Sequence, residues 1–271
     1  MKTIFVNIKE LTGITPAGTL RLQGEEMSHT GSIKNAWLSA EDGHISGFGE
    51  MKDRPAGKFD KTIDATGCII MPSFCDSHSH IVYAGTREEE FIDKINGLSY
   101  EEIAARGGGI LNSSDLLHDT SEDDLYEQSL ARVNEMISHG SGAIEIKSGY
   151  GLSVEDELKM LRVIKRIKET VPAVIRATFL GAHAVGRAYT GRKDEYVSLI
   201  INEMIPQVAG QGLADFIDVF CDDGFFSPED MDRILAEGAR FGLRPKVHID
   251  EIAVIGGMET ALRHGALSVD H

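Results

Sequence analysis

Two closely spaced histidines, His78 and His80, end the segment DSHSH and could share one metal ion. They follow residues 67–74, an apolar run that is typical of a buried strand. In a strand, residues i and i+2 point to the same face, so both imidazoles could converge on one ion. Two neutral imidazoles suit zinc or ferrous iron. An isolated His-x-His can equally be a solvated or hydrogen-bonded pair, so the motif alone leaves both interpretations open.

Three more histidines, His183, His248 and His271, end the apolar runs TFLGAH, KVH and SVDH. The carboxyl ends of barrel strands form one rim where active sites lie, so this placement predicts a ring of imidazoles around one opening. A metal ion with open coordination positions lowers the pKa of bound water to about 7 and polarises a carbonyl, as amide hydrolysis requires. Glu251, three residues past His248, could then transfer protons. Its alternative interpretation is an ordinary acidic residue near a helix start.

The elements that must position these residues fall into two regions. Residues 1–68 read as short strands with turns, and Asp42-Gly43 between two alternating runs predicts a β-hairpin. From residue 69 onward, apolar runs alternate with amphipathic helical stretches, which is the pattern of βα units. We therefore expect a small β-sandwich-like domain at 1–68 and an α/β domain at 69–271.

The α/β region predicts a (β/α)8 TIM-type barrel that is incomplete in this chain. Helix starts are read at Ser99, Ser153 and Ser227, each followed three residues later by an acidic residue. About six strand runs occur in roughly 200 residues, whereas a closed barrel takes ~250. The chain ends at His271, on a strand run, so we expect the last strands to be missing. The strand runs are CIIMPSFCDSHSH, GAIEIKS, AVIRATFLGAH, FIDVFCDD, RPKVHIDE and ALSVDH.

Composition excludes several functional classes. The 271 residues are 42% hydrophobic and 26% charged, as in ordinary globular proteins, and the net charge of −16 repels nucleic acids and anionic membranes. The three cysteines form no CxxC pair, so neither a disulfide framework nor a zinc ribbon is indicated, and a reducing cytoplasm fits best. The first residues, MKTIFVNIKELTG, contain no apolar run long enough for a signal peptide, and the sequence has no apolar run of about 18 residues, so we expect neither a leader nor a membrane span. These features predict a cytoplasmic protein that binds neither nucleic acid nor membranes.

Several longer segments resemble the imidazolonepropionase family of metal-dependent amidohydrolases. The resemblance extends over nearly the whole chain from about residue 70. The segments SGYGL and ARGGGI are far more particular to that family than His-x-His is to its superfamily. The similar segments are PSFCDSHSHIVYAGTREEEF, SYEEIAARGGGI, EIKSGYGLSVEDELKMLRV, TFLGAHAV, FIDVFCDDGFFS, KVHIDE and GALSVDH.

The resemblance implies a cofactor and a reaction. In that family a His-x-His pair, a fifth-strand histidine and an eighth-strand aspartate hold one divalent metal, zinc or iron. The histidines correspond to His78, His80 and His248, whereas the aspartate has no counterpart here. The run FIDVFCDD lacks the bridging lysine of binuclear relatives, so a single ion is favoured, and Asp222 and Asp223 are interpreted as loop residues. The implied reaction opens the cyclic amide of 4-imidazolone-5-propanoate to N-formimidoyl-L-glutamate in histidine degradation, by a homodimer.

The resemblance also implies a substrate pocket. Its predicted substrate-binding residues are Arg87, Tyr100, Tyr150 and His183, and its predicted catalytic residues are Glu251, His271 and His183. A guanidinium at Arg87 can bind a substrate carboxylate through two parallel hydrogen bonds. The alternatives are a solvated charge at a helix start for Arg87 and a tyrosine packed over the barrel rim for Tyr150.

Two other functions remain open at this point. A cytosine- or guanine-type deaminase would share the metal and the barrel, but its substrate offers no carboxylate for Arg87. A catalytically inert, truncated barrel is the alternative outside enzymology, because missing strands leave open sheet edges and a missing acidic ligand weakens the metal site.

Overall fold

The computed structural model describes residues 1–98, 102 and 108–271. It divides into two compact units, Met1–Ser73 and Phe74–His271. The domain boundary predicted between residues 68 and 69 stays a prediction, as does the sandwich-like architecture of the first domain.

The first unit is a five-stranded mixed sheet. Its strands are β1 Lys2–Ile14, β2 Gly31–Glu41, β3 His44–Glu50, β4 Lys61–Asp64 and β5 Ile69–Ile70, with 3-10 turns at Gly24–Ser28 and Met51–Asp53. Their order is β3-β2-β1-β4, and β5 also pairs with β1; the β1–β2 and β2–β3 pairs are antiparallel, whereas β4 and β5 run parallel to β1. The predicted hairpin at Asp42-Gly43 is confirmed: both residues have positive φ, 49° and 82°, as a tight two-residue hairpin turn requires.

The second unit is built on a parallel sheet whose main strands follow chain order. The strands are β6 Phe74–Asp76, β7 Ser141–Lys147, β8 Val174–Ala182, β9 Phe216–Cys221, β10 Arg244–Pro245, β11 Val247–Ile249 and β12 Val269–Asp270. Their order is β6-β7-β8-β9-β11-β12, with the short β10 also pairing with β9, and all the pairs are parallel. This arrangement confirms the predicted succession of βα-barrel strands.

Helices connect these strands, and two of them begin at serines predicted to cap them. Ser153 and Ser227 each accept a hydrogen bond from the backbone N–H three residues on, confirming two predicted starts. The start predicted at Ser99 lies outside the described residues. The helices are α1 Glu88–Ile95, α2 Ile110–Asp119, α3 Glu122–Ser138, α4 Val154–Thr170, α5 Lys193–Leu199, α6 Ile205–Gly210, α7 Pro228–Arg240 and α8 Gly257–Arg263, with a 3-10 turn at Arg187–Tyr189 and a π-helical turn at Ile200–Met204.

Helix α4 shows how the core keeps the strand ends in place. Its residues Leu161 and Ile164 are completely buried, and the helix packs against β8. Burying one such side chain contributes roughly 1.5–3 kcal/mol, so the sheet is held firmly on its helix-covered face. None of the helices in the described part of the chain has the length and apolar character needed to cross a bilayer.

One expectation about the first barrel strand was wrong. Within the run CIIMPSFCDSHSH, Ile69–Ile70 forms β5 of the first sheet and Phe74–Asp76 forms the short β6, so His78 and His80 follow the barrel strand rather than lie within it. Pro72 lacks an N–H for the ladder, and the Asp76 carboxylate accepts a hydrogen bond from the backbone N–H of His78 at 3.2 Å. Both features favour irregular backbone on the two sides of β6.

Candidate active site

Three imidazoles lie together at the carboxyl end of the parallel sheet. His78 and His80 come from the segment after β6, and His248 comes from β11. One ring nitrogen from each of them lies within 4.8 Å of the others, and the Nε2 atoms of His80 and His248 are 3.3 Å apart. The predicted His-x-His pair and the histidine of a distant strand are thus neighbours in space.

Two carboxylates, the buried Asp218 and the partly buried Asp270, orient two of these rings. Asp218 on β9 accepts hydrogen bonds from Nδ1–H of His248 at 2.8 Å and from its backbone N–H at 3.0 Å. Asp270 on β12 accepts a hydrogen bond from Nδ1–H of His78 at 2.9 Å. Donation from Nδ1 leaves Nε2 of each neutral ring with a lone pair, which is the arrangement that metal-binding histidines commonly show.

A buried lysine supports the two carboxylates. Nζ of Lys147, on β7, lies 2.8 Å from oxygens of Glu145 and Asp218 and 3.6 Å from Oδ2 of Asp270. Burial acts to lower the pKa of Lys147, but the charges of Asp218 and Glu145 outweigh it and hold that pKa above its ordinary value. These charges were missed in the sequence. Charged residues inside otherwise apolar strand runs, as in EIK and FID, are the sequence feature that could have indicated Glu145, Lys147 and Asp218.

The histidine cluster opens into a cavity of about 520 Å³. Apolar walls come from Ile110, Phe220 and Phe225, and the two phenylalanine rings are 4.4 Å apart between centroids. The cavity therefore offers an apolar aromatic wall next to nitrogen ligands, which suits a small heterocycle. Tyr100, predicted to bind substrate, lies outside the described residues. The other predicted substrate and catalytic residues line the cavity: Arg87, Tyr150, His183, Glu251 and His271.

His183 has a defined hydrogen-bonding state. Its Nδ1 lies 3.1 Å from the carbonyl oxygen of Gly149, and since a carbonyl only accepts, Nδ1 carries the proton. Burial lowers the pKa of His183 to about 4, so the ring is neutral near pH 7 and Nε2 is a hydrogen-bond acceptor. The Tyr150 ring lies 5.5 Å from His183 and 5.8 Å from His80 between centroids, and burial raises the pKa of its phenol, which stays protonated.

Arg87 stands at another part of the cavity wall. Its Nε donates a hydrogen bond to Oε2 of Glu90 at 2.9 Å, and Nη2 reaches the same oxygen. The other oxygen of Glu90 accepts the backbone N–H of Gly109 at 3.0 Å. The guanidinium is thus held from within its own helix, and the hydrogen bond from Arg87 holds the pKa of Glu90 below its ordinary value.

Glu251 and His271 form the pair of possible proton carriers. Oε2 of Glu251 lies 3.7 Å from Nε2 of His271, and both side chains are partly exposed in the cavity. The His271 ring is 5.2 Å from His78 and 5.1 Å from His248 between centroids. An acid–base pair therefore lies beside the nitrogen cluster, which the sequence could indicate only by residue type and position.

Asp222, interpreted from the sequence as a loop residue, has a structural task at this site. It is 2% exposed, and its carboxylate accepts hydrogen bonds from the backbone N–H groups of Glu251, Ile252 and Ala253, each at 2.9 Å, and of Asp223. Burial acts to raise the pKa of Asp222, but these four donors outweigh it and hold the pKa below its ordinary value. The carboxylate thus fixes the loop that carries Glu251.

Comparison with solved structures agrees with this architecture. The fold is similar to that of a 5-methylcytosine deaminase from Klebsiella pneumoniae, with a TM-score of 0.62 and 15% identity over 97% of this chain and 55% of that one. This likeness shows the fold alone: parallel βα units of a barrel, here with a histidine cluster at the carboxyl ends of the strands. No protein-family model matches the chain.

Sequence comparison is more specific. The chain is 52% identical over 271 residues to an imidazolonepropionase of Christiangramia forsetii and 42% identical over 277 residues to one of Geobacillus kaustophilus. It belongs to the imidazolonepropionase family. All of this chain is covered in both alignments, and it spans 66% and 65% of the length of those two relatives.

Proposed function

We propose that this protein hydrolyses the cyclic amide of 4-imidazolone-5-propanoate to N-formimidoyl-L-glutamate, a step of histidine degradation. One observation carries the proposal: a single cavity joins a three-histidine cluster to a guanidinium, a neutral imidazole and an acid–base pair. The family relationship supports the same substrate, since the similar proteins are named for it. Hydrolysis breaks the C–N bond of the cyclic amide with one water molecule: the carbonyl carbon gains the hydroxyl group and the ring nitrogen gains the proton.

The histidine cluster fits one divalent ion, zinc or iron, held by His78, His80 and His248. Three nitrogen donors lie within 4.8 Å of one another, and carboxylates hold the Nδ1 atoms of His78 and His248 so that their Nε2 atoms remain available. Among the described residues, the buried Nδ1 of His80 has no hydrogen-bond partner, so this ring also has an uncommitted polar atom. Such an ion supplies Lewis-acid chemistry, polarising a carbonyl and making water more acidic.

Arg87 would bind the propanoate group. The guanidinium offers a planar set of donors that matches a carboxylate, and it already contacts the carboxylate of Glu90. The substrate carboxylate would share the guanidinium with Glu90 or replace it. This contact sets the distance between the propanoate and the histidine cluster and so orients the ring.

His183 would accept a hydrogen bond from a ring N–H of the substrate. Its proton is held on Nδ1 by the carbonyl of Gly149, so the neutral ring has no hydrogen to offer an oxyanion from Nε2. We therefore assign His183 the substrate-binding role, and not the catalytic role, of the two that the resemblance implies. Tyr150, whose phenol is protonated, can donate a hydrogen bond to the substrate from the neighbouring wall.

Glu251 and His271 would move the protons. The carboxylate of Glu251 takes a proton from the attacking water, and the proton reaches the departing ring nitrogen through Glu251 or its neighbour His271. His271 can also stabilise the oxyanion, because its ring lies beside His78 and His248. The apolar side chain of Phe220 lines the same cavity.

The test is turnover of synthetic 4-imidazolone-5-propanoate by the 271-residue chain, followed as loss of substrate and appearance of N-formimidoyl-L-glutamate by mass spectrometry. Glu251→Gln should lower kcat by roughly 10²–10⁴-fold, the usual contribution of general acid–base catalysis, while metal content persists. Glu259→Gln, an exposed residue on α8, is the matched control and should behave as wild type. Near-normal turnover in Glu251→Gln would remove Glu251 from the mechanism.

A deaminase of the cytosine or guanine type is the second candidate, favoured by the fold similarity to a 5-methylcytosine deaminase. Arg87 argues against it, because these bases carry no carboxylate to pair with a guanidinium. Ammonia release from cytosine or guanine, with no turnover of the imidazolone, would favour the deaminase. No turnover of either substrate by the metal-loaded chain would favour the inert alternative.

We also propose a cytoplasmic location and a homodimer, as the resemblance implies. The acidic charge and the cysteine pattern support the first. Light scattering at micromolar concentration measures the second, and a monomeric mass would exclude the dimer.

A further inference from the structure

Glu157 is a completely buried carboxylate that the proposed mechanism does not use. It lies in the first turn of α4 and accepts hydrogen bonds from the backbone N–H groups of Gly149 at 3.1 Å, Gly151 at 2.7 Å and Leu152 at 3.2 Å. The Ser148 hydroxyl is also hydrogen-bonded to it. One side chain thus binds three of four consecutive backbone amides of a single loop.

The glycines of this loop are required by the same arrangement. Gly149 has φ of +114°, a conformation that L side chains rarely adopt, and a Cβ there would lie 2.8 Å from Nδ1 of His183. A Cβ on Gly151 would lie 2.3 Å from the backbone nitrogen of Glu157. The segment SGYGL therefore brings the loop backbone close to the helix start, where the carboxylate of Glu157 can reach its amides.

The loop carries two contacts of the proposed substrate site. The carbonyl of Gly149 fixes the Nδ1 proton of His183, and Tyr150 lines the cavity beside His80. Any displacement of the loop would move the phenol of Tyr150 and release the ring of His183 together. The position of both groups depends on where the backbone of residues 149–152 is held.

We infer that Glu157 is a positioning residue for substrate binding: its carboxylate fixes the loop 149–152 and thereby the phenol of Tyr150 and the tautomer of His183. We call the hydrogen bonds between the Glu157 carboxylate and the amides of residues 149, 151 and 152 the clamp. The kinetic consequences of the clamp rest on the proposed function, whereas its hydrogen bonds can be tested separately. Burial raises the pKa of Glu157 to about 7, while Ser148 and the three amides act to lower it, so the loop donors favour the ionised form that accepts their hydrogen bonds.

Glu157→Gln tests the clamp with an almost unchanged side-chain volume. A glutamine has one accepting oxygen, and its NH2 group would face an N–H of the loop as a second donor. We expect faster amide exchange at Gly149, Gly151 and Leu152, a KM for 4-imidazolone-5-propanoate raised at least tenfold, and unchanged metal content. Glu155→Gln on the exposed face of the same helix is the control and should match wild type.

A merely structural role would lower stability or soluble yield without selectively raising KM. Tyr150→Phe should raise KM on its own, and combining it with Glu157→Gln should add little, because both changes act on the same contact. If Glu157→Gln does not fold, amide exchange of the wild-type protein tests the clamp, because the clamp predicts slow exchange at these three amides. Fast exchange in wild type, or a folded variant with unchanged exchange and KM, would overturn the inference. Absence of wild-type turnover would instead count against the proposed function, and the exchange data would still test the clamp.

Discussion

Asp222 holds the loop that carries Glu251, and the hydrogen bonds that it accepts determine how strongly Asp222→Asn should reduce activity. Asp222→Asn keeps the shape of the side chain but replaces one accepting oxygen by an NH2 group. One carboxylate oxygen accepts the N–H groups of Glu251 and Ile252, and the other those of Ala253 and Asp223. In either orientation, the asparagine therefore leaves two of the four donors unsatisfied.

An unsatisfied buried donor costs about 1–3 kcal/mol, which gives roughly 2–6 kcal/mol for two of them. Glu251 and Ile252 are exposed, so water can replace part of the loss, and we take about 2–3 kcal/mol. A native domain has about 5–15 kcal/mol of stability, so the fold should survive and the loop should detach locally. If this energy holds Glu251 at the site, kcat/KM should fall roughly 30- to 160-fold, at 1.36 kcal/mol per factor of ten.

Steady-state turnover of 4-imidazolone-5-propanoate, together with amide exchange at residues 251–253, measures both effects. The control is Asp223→Asn, since Asp223 is the exposed neighbour and its replacement should change kcat/KM less than twofold. Metal content should be unchanged in both variants. Wild-type kcat/KM in a folded Asp222→Asn variant, or a loss of bound metal that accounts for its defect, would refute this reasoning.

Three further predictions concern the surrounding residues. Asp218→Asn removes the carboxylate that orients the His248 ring and should weaken zinc binding about 10–100-fold. Competition with a chromogenic chelator measures the zinc affinity, and an unchanged affinity would contradict the orienting role of Asp218. Arg87→Lys should raise KM for the propanoate substrate about tenfold or more at unchanged metal content, because an ammonium group cannot form two parallel hydrogen bonds to a carboxylate. An unchanged KM would show that the substrate carboxylate binds elsewhere. The Asp156 carboxylate raises the pKa of His118, so their pairing should stabilise the protein below the ordinary histidine pKa and be lost as the pH rises through the folded-state value. His118→Gln should accordingly lower Tm more at pH 5.5 than at pH 8.5, and an equal or reversed difference would contradict the assignment.

The histidine cluster could be predicted from sequence because each histidine is marked by its neighbours along the chain. His78, His80, His183 and His248 each follow an apolar run, and in a parallel barrel the ends of all strands reach the same rim. Strand length was less predictable, because Pro72 and the side-chain hydrogen bond of Asp76 shorten the first barrel strand.

The residues that support the cluster could not be identified from local pattern. Lys147 pairs with Asp218 across 71 positions of sequence, and each residue alone resembles an isolated charge in an apolar strand. Glu157 gave a partial signal, since it shares a helical face with the buried residues Leu161 and Ile164 at i+4 and i+7. Its loop partners, however, appear only when the glycine backbone is folded against the helix.

The central claim is that imidazoles from separate strands hold one cation at this rim. Crystals of the metal-loaded chain, measured at the zinc and iron absorption edges, test it through anomalous difference maps. One strong peak within bonding distance of ring nitrogens of His78, His80 and His248 is the predicted result. Metal-saturated crystals with no peak among these three rings, or with the ion bound elsewhere, would contradict it.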